Sequence, residues 1–524
     1  MKVKEILAAV LATSMVFTLT ACGGNEEKPN SSKDTGTESK GTLIVATSSA
    51  PIHFNADANA MAGSFPAVNI FSGLLETTIS GAIIPDLAKE YTISDDGLTY
   101  TFKLNSGIKW HDGKDFSSDD VKFTFDTIIK EKGVNIDKYK NIKEITTPDK
   151  DTVIFKLENV DASLISYIPM TDILPKHLYE GTNWLENPAN KNPIGTGAFK
   201  FVGEEKDVSI TLEANKDYFK GEPGVDKIIY KIIPDENTAV QAYLNGEVDL
   251  LGLPAAISPA AVPSLQNLKG TKVQTMISAD RQYLVTNMAK SPWNDVNVRR
   301  AIALCLDRPQ FVEKAHKGFA EVAEGFYTPA VSWAYTDKYK MPDRDVEAAN
   351  KLLDEAGLKK DANGIRIKDA QIVIFEFAVF SDIATILQQN LKDIGIESKI
   401  TTLEYAAWMD KMKNGDFDFG ITGGFHGPDP DNLSGRVGVG GWGNFMKYNN
   451  PELEKLLQDG RMESDQTKRA EIYSEVQRII SEDLPIMPMT EWCYIIVSKD
   501  NMSGHPIELQ DSIGSANYFK IKFN

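Results

Sequence analysis

The residues in this sequence that are best suited to chemistry are spaced against it. The six histidines, His53, His111, His177, His316, His426 and His505, are scattered. None forms an HExxH pair that would put two metal-binding histidines on one helix face. The three cysteines, Cys22, Cys305 and Cys493, contain no CxxC pair and cannot build a disulfide framework. No serine sits in a G-x-S-x-G elbow. Gly438 to Gly443 (GVGGWG) matches GxGxxG, but no apolar strand precedes it and no helix is expected after it, so it lacks a dinucleotide site's setting. Gly107 to Lys114 resembles a phosphate loop only loosely, with Asp115 where a hydroxyl residue is needed. Asp149/Asp151 and Asp429/Asp431 lack the later glutamate of a calcium loop. Spacing leaves open only a pair of catalytic carboxylates among the 74 acidic residues. The expectation is a chain with no catalytic residues, no metal and no cofactor; an extracellular hydrolase or adhesion lipoprotein is the alternative from another class.

What such residues would be mounted on is an ordinary globular chain, 42 % apolar and 25 % charged. At 524 residues it exceeds a single core, so two or three lobes are expected. Its net charge of −18 argues against a nucleic-acid partner. Lys2 and Lys4 precede an apolar run from Ile6 to Ala21, too short for a comfortable membrane span. The run ends in Leu19-Thr20-Ala21-Cys22, which resembles the lipobox of bacterial lipoproteins: small residues fit a signal peptidase, and the thiol of Cys22 carries the lipid. Gly23 to Gly41 has no large apolar residue and reads as a flexible leash with a reach of roughly 25 Å. No later segment is apolar enough to span.

Past the leash, Thr42 to Ala46 is strand-like, and the β-rich runs LTYTFKL and DTVIFKL flank an amphipathic helix from Ser118 to Glu131. Asp119 and Asp120 favour that helix's N-terminal dipole. Further on, Gln371 to Phe380, Ile396 to Leu403 and Phe417 to Ile421 read as strands. They alternate with a helix capped by Ser381 and ending at Gly395, and with a helix from Glu404 to Asn414. That order predicts a partly parallel sheet covered by helices. Asp345 to Ala356 and Gln466 to Asp483 are further amphipathic helices, and Ile486 to Val497 is expected to return to the first lobe. Arg299 and Arg300 read as salt-bridging surface residues, Cys305 as a small buried one, and His316 as lying on an outer helix.

Several blocks together resemble the family 5 extracellular solute-binding proteins of ABC importers, the oligopeptide, dipeptide and nickel-binding group. They are IKWHDGKDFSSDDV from Ile108, NPIGTGAFKFV from Asn192, DVNVRRAIALCLD from Asp295, VEAANKLLDEAGL from Val346, and the stretch from Asn449 to Pro488. Within them Gly195-Thr196-Gly197 lets two backbones approach. The resemblance implies an α/β, two-lobe periplasmic-binding-protein-like fold of class II type, with a hinge between lobes and an extra β-rich subdomain at about 76–188. The expected divisions are a signal peptide 1–21, the leash 22–41 after lipidated Cys22, lobe I 42–290, lobe II 291–488 and a return to lobe I over 489–524. It also implies a cleft that captures peptides for a permease served by cytoplasmic ATPases. The chain would be a monomer held outside the cell membrane by its lipid alone; an oligosaccharide or metal chelate is the alternative ligand. Peptide-binding relatives fix the ligand's amine with a carboxylate in the loop that here reads GGFHGPDPDN, and His426 stands in its place, with Asp429 nearby. Phe425 and Trp442, in glycine-rich loops with little core to join, are expected to line the cleft, and Phe71, Tyr283 and Trp492 are further candidates.

Overall fold

Alternation at period two makes the strands. In Thr99–Leu104 the residues Tyr100, Phe102 and Leu104 point inward while their neighbours face out. The computed structural model describes residues 39–58, 64–78, 82–134, 136–252, 257–328, 331–377, 379–427, 429–509 and 517–524. Cys22, the signal segment and nearly all of the leash lie outside them. Lys40–Asn524 forms one compact unit, to which everything below refers. Among the described residues no helix is long and apolar enough to cross a membrane.

An eleven-stranded mixed sheet runs through this unit. Its order begins Ile396–Leu403, Ile367–Phe375, Phe419–Phe425, Thr271–Thr286 and Ile486–Lys499. It continues through Leu250–Leu251, Thr42–Thr47, Lys227–Ile232, Ser209–Ala214 and Phe199–Glu205, and Ala320–Val322 pairs onto Ile486–Lys499 from the side. Ile367–Phe375 lies parallel to both of its neighbours, the pairing expected of consecutive β-α-β units. The helices between are Phe380–Asp393 and Tyr405–Asn414. A separate four-stranded antiparallel sheet contains Thr99–Leu104 and Thr152–Leu157. It is covered by the Ser118–Glu131 helix, whose Phe125 meets the Phe155 ring at 4.9 Å. A capping box between Ser117 and Asp120 starts that helix.

Apolar side chains collect in two large cores. The first runs from Leu43 to Tyr230 and recruits Ile496, Tyr518 and Ile521 from the far end of the chain. Tyr518 also donates its backbone N–H to Asn69, 449 positions away. The second runs from Tyr283 to Met489, and a smaller third cluster holds Ala46, Val248, Ile495 and Val497. We call the bodies around the first and second cores the first and second lobes. Thr271–Thr286 and Ile486–Lys499 pair antiparallel along most of their length and serve both. Tyr283, Leu284, Ile486 and Met487 belong to the second core, whereas Met276 and Ile496 face the first. The ladder breaks where the strands leave one core for the other. Ile277 faces Cys493 but Arg281 faces Glu491, and Gln282 faces Thr490 but Tyr283 faces Pro488. This irregular stretch is the waist of the molecule.

Several sequence expectations need correction. The strand expected at 371–380 spans Ile367–Phe375, and that expected at 417–421 spans Phe419–Phe425, because their sheet neighbours rather than local composition set the ends. Ser381 does not cap its helix; Val379 occupies that position without a side-chain bond. Ile486–Lys499 does not simply return to the first lobe but bridges both cores. Arg299 is buried, giving its Nε to Asp483 O at 2.7 Å and its Nη1 to Trp293 O at 3.0 Å, so it caps the C-terminus of Gln466–Asp483 and makes no surface ion pair. Arg300 binds the neighbouring carbonyl of Glu482. Cys305 is buried, as its apolar surroundings predict.

The glycines of Gly195-Thr196-Gly197 are required by contact. A Cβ on Gly195 would stand 1.8 Å from Ile70 O, and one on Gly197 2.6 Å from Asn69 O. Gly195→Ala should therefore cost more than the ~1–3 kcal/mol typical of overpacking. Urea unfolding would read this as a lowered midpoint or an unfolded product, and a midpoint equal to wild type would contradict the close approach.

Candidate functional site

The waist is polar and buried, which demands partners for every charge. Arg281 has no exposed surface, and its guanidinium is fully engaged. Its Nε and Nη2 pair with Glu491, Nη1 donates to Gly325 O at 3.0 Å, and Nη2 donates to Tyr327 O at 3.0 Å. Next to it, Thr490 donates to Gln282 and lies 3.3 Å from His316 Nε2. His316 is thus buried beside the waist, at the end of a short π-helical turn, and not on an outer helix. Burial pulls its pKa down to about 4, so the ring is neutral. Tyr494 donates to Asp280 at 2.7 Å on the first-lobe side.

Against this waist the Phe419–Phe425 strand delivers its loop. Gly423 is a glycine because a Cβ there would lie 2.4 Å from Arg281 O. Directly after the strand comes His426, which is 4 % exposed and meets the Tyr283 ring edge-to-face at 5.7 Å. Tyr283 OH accepts from Arg436 Nη1, and the Arg436 guanidinium lies 4.8 Å from the centre of the Trp442 ring. Trp442 itself is 61 % exposed and is seated over Gly435, where a Cβ would fall 2.6 Å from its Nε1. The glycine-rich run at 438–443 therefore serves to place a tryptophan; it opens no helix and builds no phosphate cradle. Burial first, then the positive charges of Arg436 and Arg281, holds the His426 imidazole well below its usual pKa.

Of the residues anticipated from sequence, Tyr283, His426 and Trp442 come together around Arg436. Asp429 lies on the same loop, but its oxygens are already committed. They take Arg469 Nη1 at 3.0 Å and Nη2 at 2.9 Å, accept from the backbone of Asp431, and meet Ser166 Oγ of the first lobe at 3.4 Å. Burial leaves the Asp429 carboxyl pKa raised although Arg469 draws it down. Burial depresses the Arg469 pKa, but the charge and hydrogen bonds of Asp429 outweigh it and leave it raised. The two-pronged geometry, with both guanidinium nitrogens on the two carboxylate oxygens, favours the ionic form. Asp431 pairs likewise with Arg461, whose carbonyl accepts from Ala162 N of the first lobe at 2.8 Å. These are contacts between lobes. Beside them opens a groove of about 990 Å³ lined by Lys138, Asn159 and Asp161 on one side and by Asp431, Trp442 and Arg461 on the other.

Phe71 follows the Ser64–Ile70 helix directly and is buried in the first core. Trp492 is half-buried with its ring 4.9 Å from Phe377. Phe425 is described by its backbone alone, paired with Asp280. Sequence reasoning missed Arg281, Glu491, Arg436 and Arg469. The available signal was a lone glutamate inside the apolar strand IMPMTEWCYIIV, because a charge there must find a buried partner. Among the described residues no group of three or more His, Cys, Asp or Glu is placed to hold a metal ion.

Residues 82–444 match the family model described as bacterial extracellular solute-binding proteins, family 5 Middle. The chain is 32 % identical over 512 residues to the oligopeptide-binding protein AppA of Bacillus subtilis, covering 92 % of each. Its structure resembles the ABC transporter substrate-binding protein CtaP of Listeria monocytogenes with a TM-score of 0.84 at 27 % identity, over 93 % of this chain and 100 % of that one. It also resembles the Bacillus subtilis AppA structure holding a nonapeptide, with a TM-score of 0.77 at 28 % identity, over 92 % and 99 %.

Removing one partner of the Asp429–Arg469 pair strands the other charge out of water. Asp429→Ala should lower unfolding free energy by about 3–5 kcal/mol at neutral pH. Denaturant titration would measure it, and a loss below about 1 kcal/mol would show the pair to behave like a solvent-exposed bridge.

Proposed function

This chain belongs to the bacterial extracellular solute-binding proteins of family 5, and we propose that it captures peptides between its lobes and hands them to the permease of an ABC importer. The observation that carries the reading is the waist. Two long strands link separate cores through a stretch where the ladder is broken. A bulged ladder bends more readily than a regular one, so the lobes can open and close about it. Tyr283, His426, Arg436 and Trp442 lie beside that stretch, where closure would exclude water and sharpen each hydrogen bond. The names of relatives point the same way: one is an oligopeptide-binding protein, and a solved structure holds a nonapeptide.

In this proposal the protein catalyses nothing, acts as a monomer and is anchored by acyl chains on Cys22 to the outer face of the membrane, with ATP consumed by the permease's cytoplasmic partners. Tyr283, His426 and Trp442 belong to the cleft, while Asp429 acts by holding the lobes together.

Mass spectrometry of small molecules released from the natively purified protein should find peptides. Returning them to stripped protein should reduce the radius of gyration in small-angle scattering. Release of sugars or chelates in their place would refute the peptide assignment, and an unchanged radius at saturation would refute closure. Independently, Cys22→Ser should move the protein from the membrane to the soluble fraction; a lipidated, membrane-bound variant would refute the anchor.

A further inference from the structure

His426 combines features that no core role accounts for. Its Nε2 is buried without a hydrogen-bond partner among the described residues, a condition that native proteins rarely leave unmet. The ring is neutral, so one of its nitrogens carries a proton to donate. Burial and the Arg436 and Arg281 guanidiniums resist a positive charge at this point. Because Arg281 is paired with Glu491, Arg436, which shares Tyr283 with the ring, is the cation that matters here. The same field acts on any ligand group placed beside the ring: it repels an ammonium and attracts an anionic oxygen. Arg436 is oriented for that task by the Tyr283 hydroxyl below and the Trp442 ring above.

We infer that the corner formed by His426, Tyr283, Arg436 and Trp442 selects a carboxylate of the ligand and rejects its α-ammonium. This rests on the peptide reading proposed above and adds which end or side chain of the peptide is recognised there. A neutral imidazole donates one hydrogen bond to a carboxylate oxygen, and the neighbouring guanidinium supplies the opposite charge. An α-ammonium in the same place would meet the Arg436 guanidinium with no carboxylate from His426 to offset it, since the Arg281 charge is already balanced by Glu491.

The test uses the mature protein stripped of ligand and four pools built on one set of tripeptide sequences. The first is N-acetylated with a free C-terminal carboxylate, the second has a free amine and an amidated C-terminus, and the third is zwitterionic; these three contain no Asp or Glu. The fourth is blocked at both ends and carries Glu in the middle. Retention is read by equilibrium dialysis and mass spectrometry. The first or the fourth pool should be retained at least about tenfold better than the second, as expected for one charge-assisted hydrogen bond. Retention of the first identifies the terminal carboxylate and retention of the fourth a side-chain one. Equal or better retention of the cationic second pool, or retention of neither carboxylate-bearing blocked pool, overturns the inference. In that event retention of the zwitterions leaves the peptide reading standing, whereas retention of no pool removes both. His426→Asp, shown by circular dichroism to be folded, should lose the preference for the acids or invert it. His426→Gln, which keeps a neutral donor, should retain it. An unaltered preference in His426→Asp overturns the role of this residue. If neither variant folds, the partition among pools by the wild-type protein still decides.

Discussion

The Arg281–Glu491 pair is the contact on which the rest of the molecule depends. It lies where two antiparallel strands pass from one apolar core to the other, at the point where side chains of neither core fill the space. Burying two charges is costly, and the cost is offset only if each donor and acceptor is met. Here the guanidinium reaches Glu491 and two carbonyls, of Gly325 and Tyr327, so the pair also ties the loop before residue 329 to the sheet. An apolar pair of the same volume would fuse the two cores into one. A satisfied ionic pair keeps them separate and gives the junction a fixed geometry, and a two-lobed protein needs both.

Two kinds of polar contact follow from that arrangement. At the rim, Asp429–Arg469 and Asp431–Arg461 are complete ion pairs that also touch the first lobe through Ser166 and Ala162. At the waist, His426 is a neutral ring beside guanidiniums with one nitrogen unmet. Satisfied groups hold structure, and an unsatisfied one is available to something that arrives. The division assigns Asp429 and His426, three positions apart on one loop, to different tasks.

Local pattern revealed the elements whose periodicity is complete within themselves. The Ser118–Glu131 and Gln466–Asp483 helices and the Ile396–Leu403 strand have the expected bounds because amphipathic spacing and capping residues fix both ends. Ile367–Phe375 begins earlier than its apolar run suggests because Ile367 pairs with Ile396 across a register break that holds the polar Lys368 and Asp369. The aromatic loop residues were legible as residues in need of an explanation, and Trp442 answers to that description. Phe71 packs in the first core, and an aromatic following a short helix looks the same in sequence whether it faces a cleft or a core. The waist was hidden because it joins residues about 210 positions apart, as in the bond from Arg281 to Glu491, and no local window contains both.

The first core has its own chronology. It begins at Leu43, yet its last members are Tyr518 and Ile521, and Tyr518 fastens to Asn69 across 449 positions. A Cβ on Gly224 would stand 2.2 Å from Ile521 O, so the closing segment is seated in a slot shaped for it. The second core, from Tyr283 to Met489, is one continuous stretch and needs nothing from beyond it. A chain emerging N-terminus first therefore makes most of its first core long before the closing members exist. That lobe stays open-ended until the final residues arrive. The last residues thus close a core whose other members come from the first half of the chain, and a truncation that removes them would leave that core with an open face.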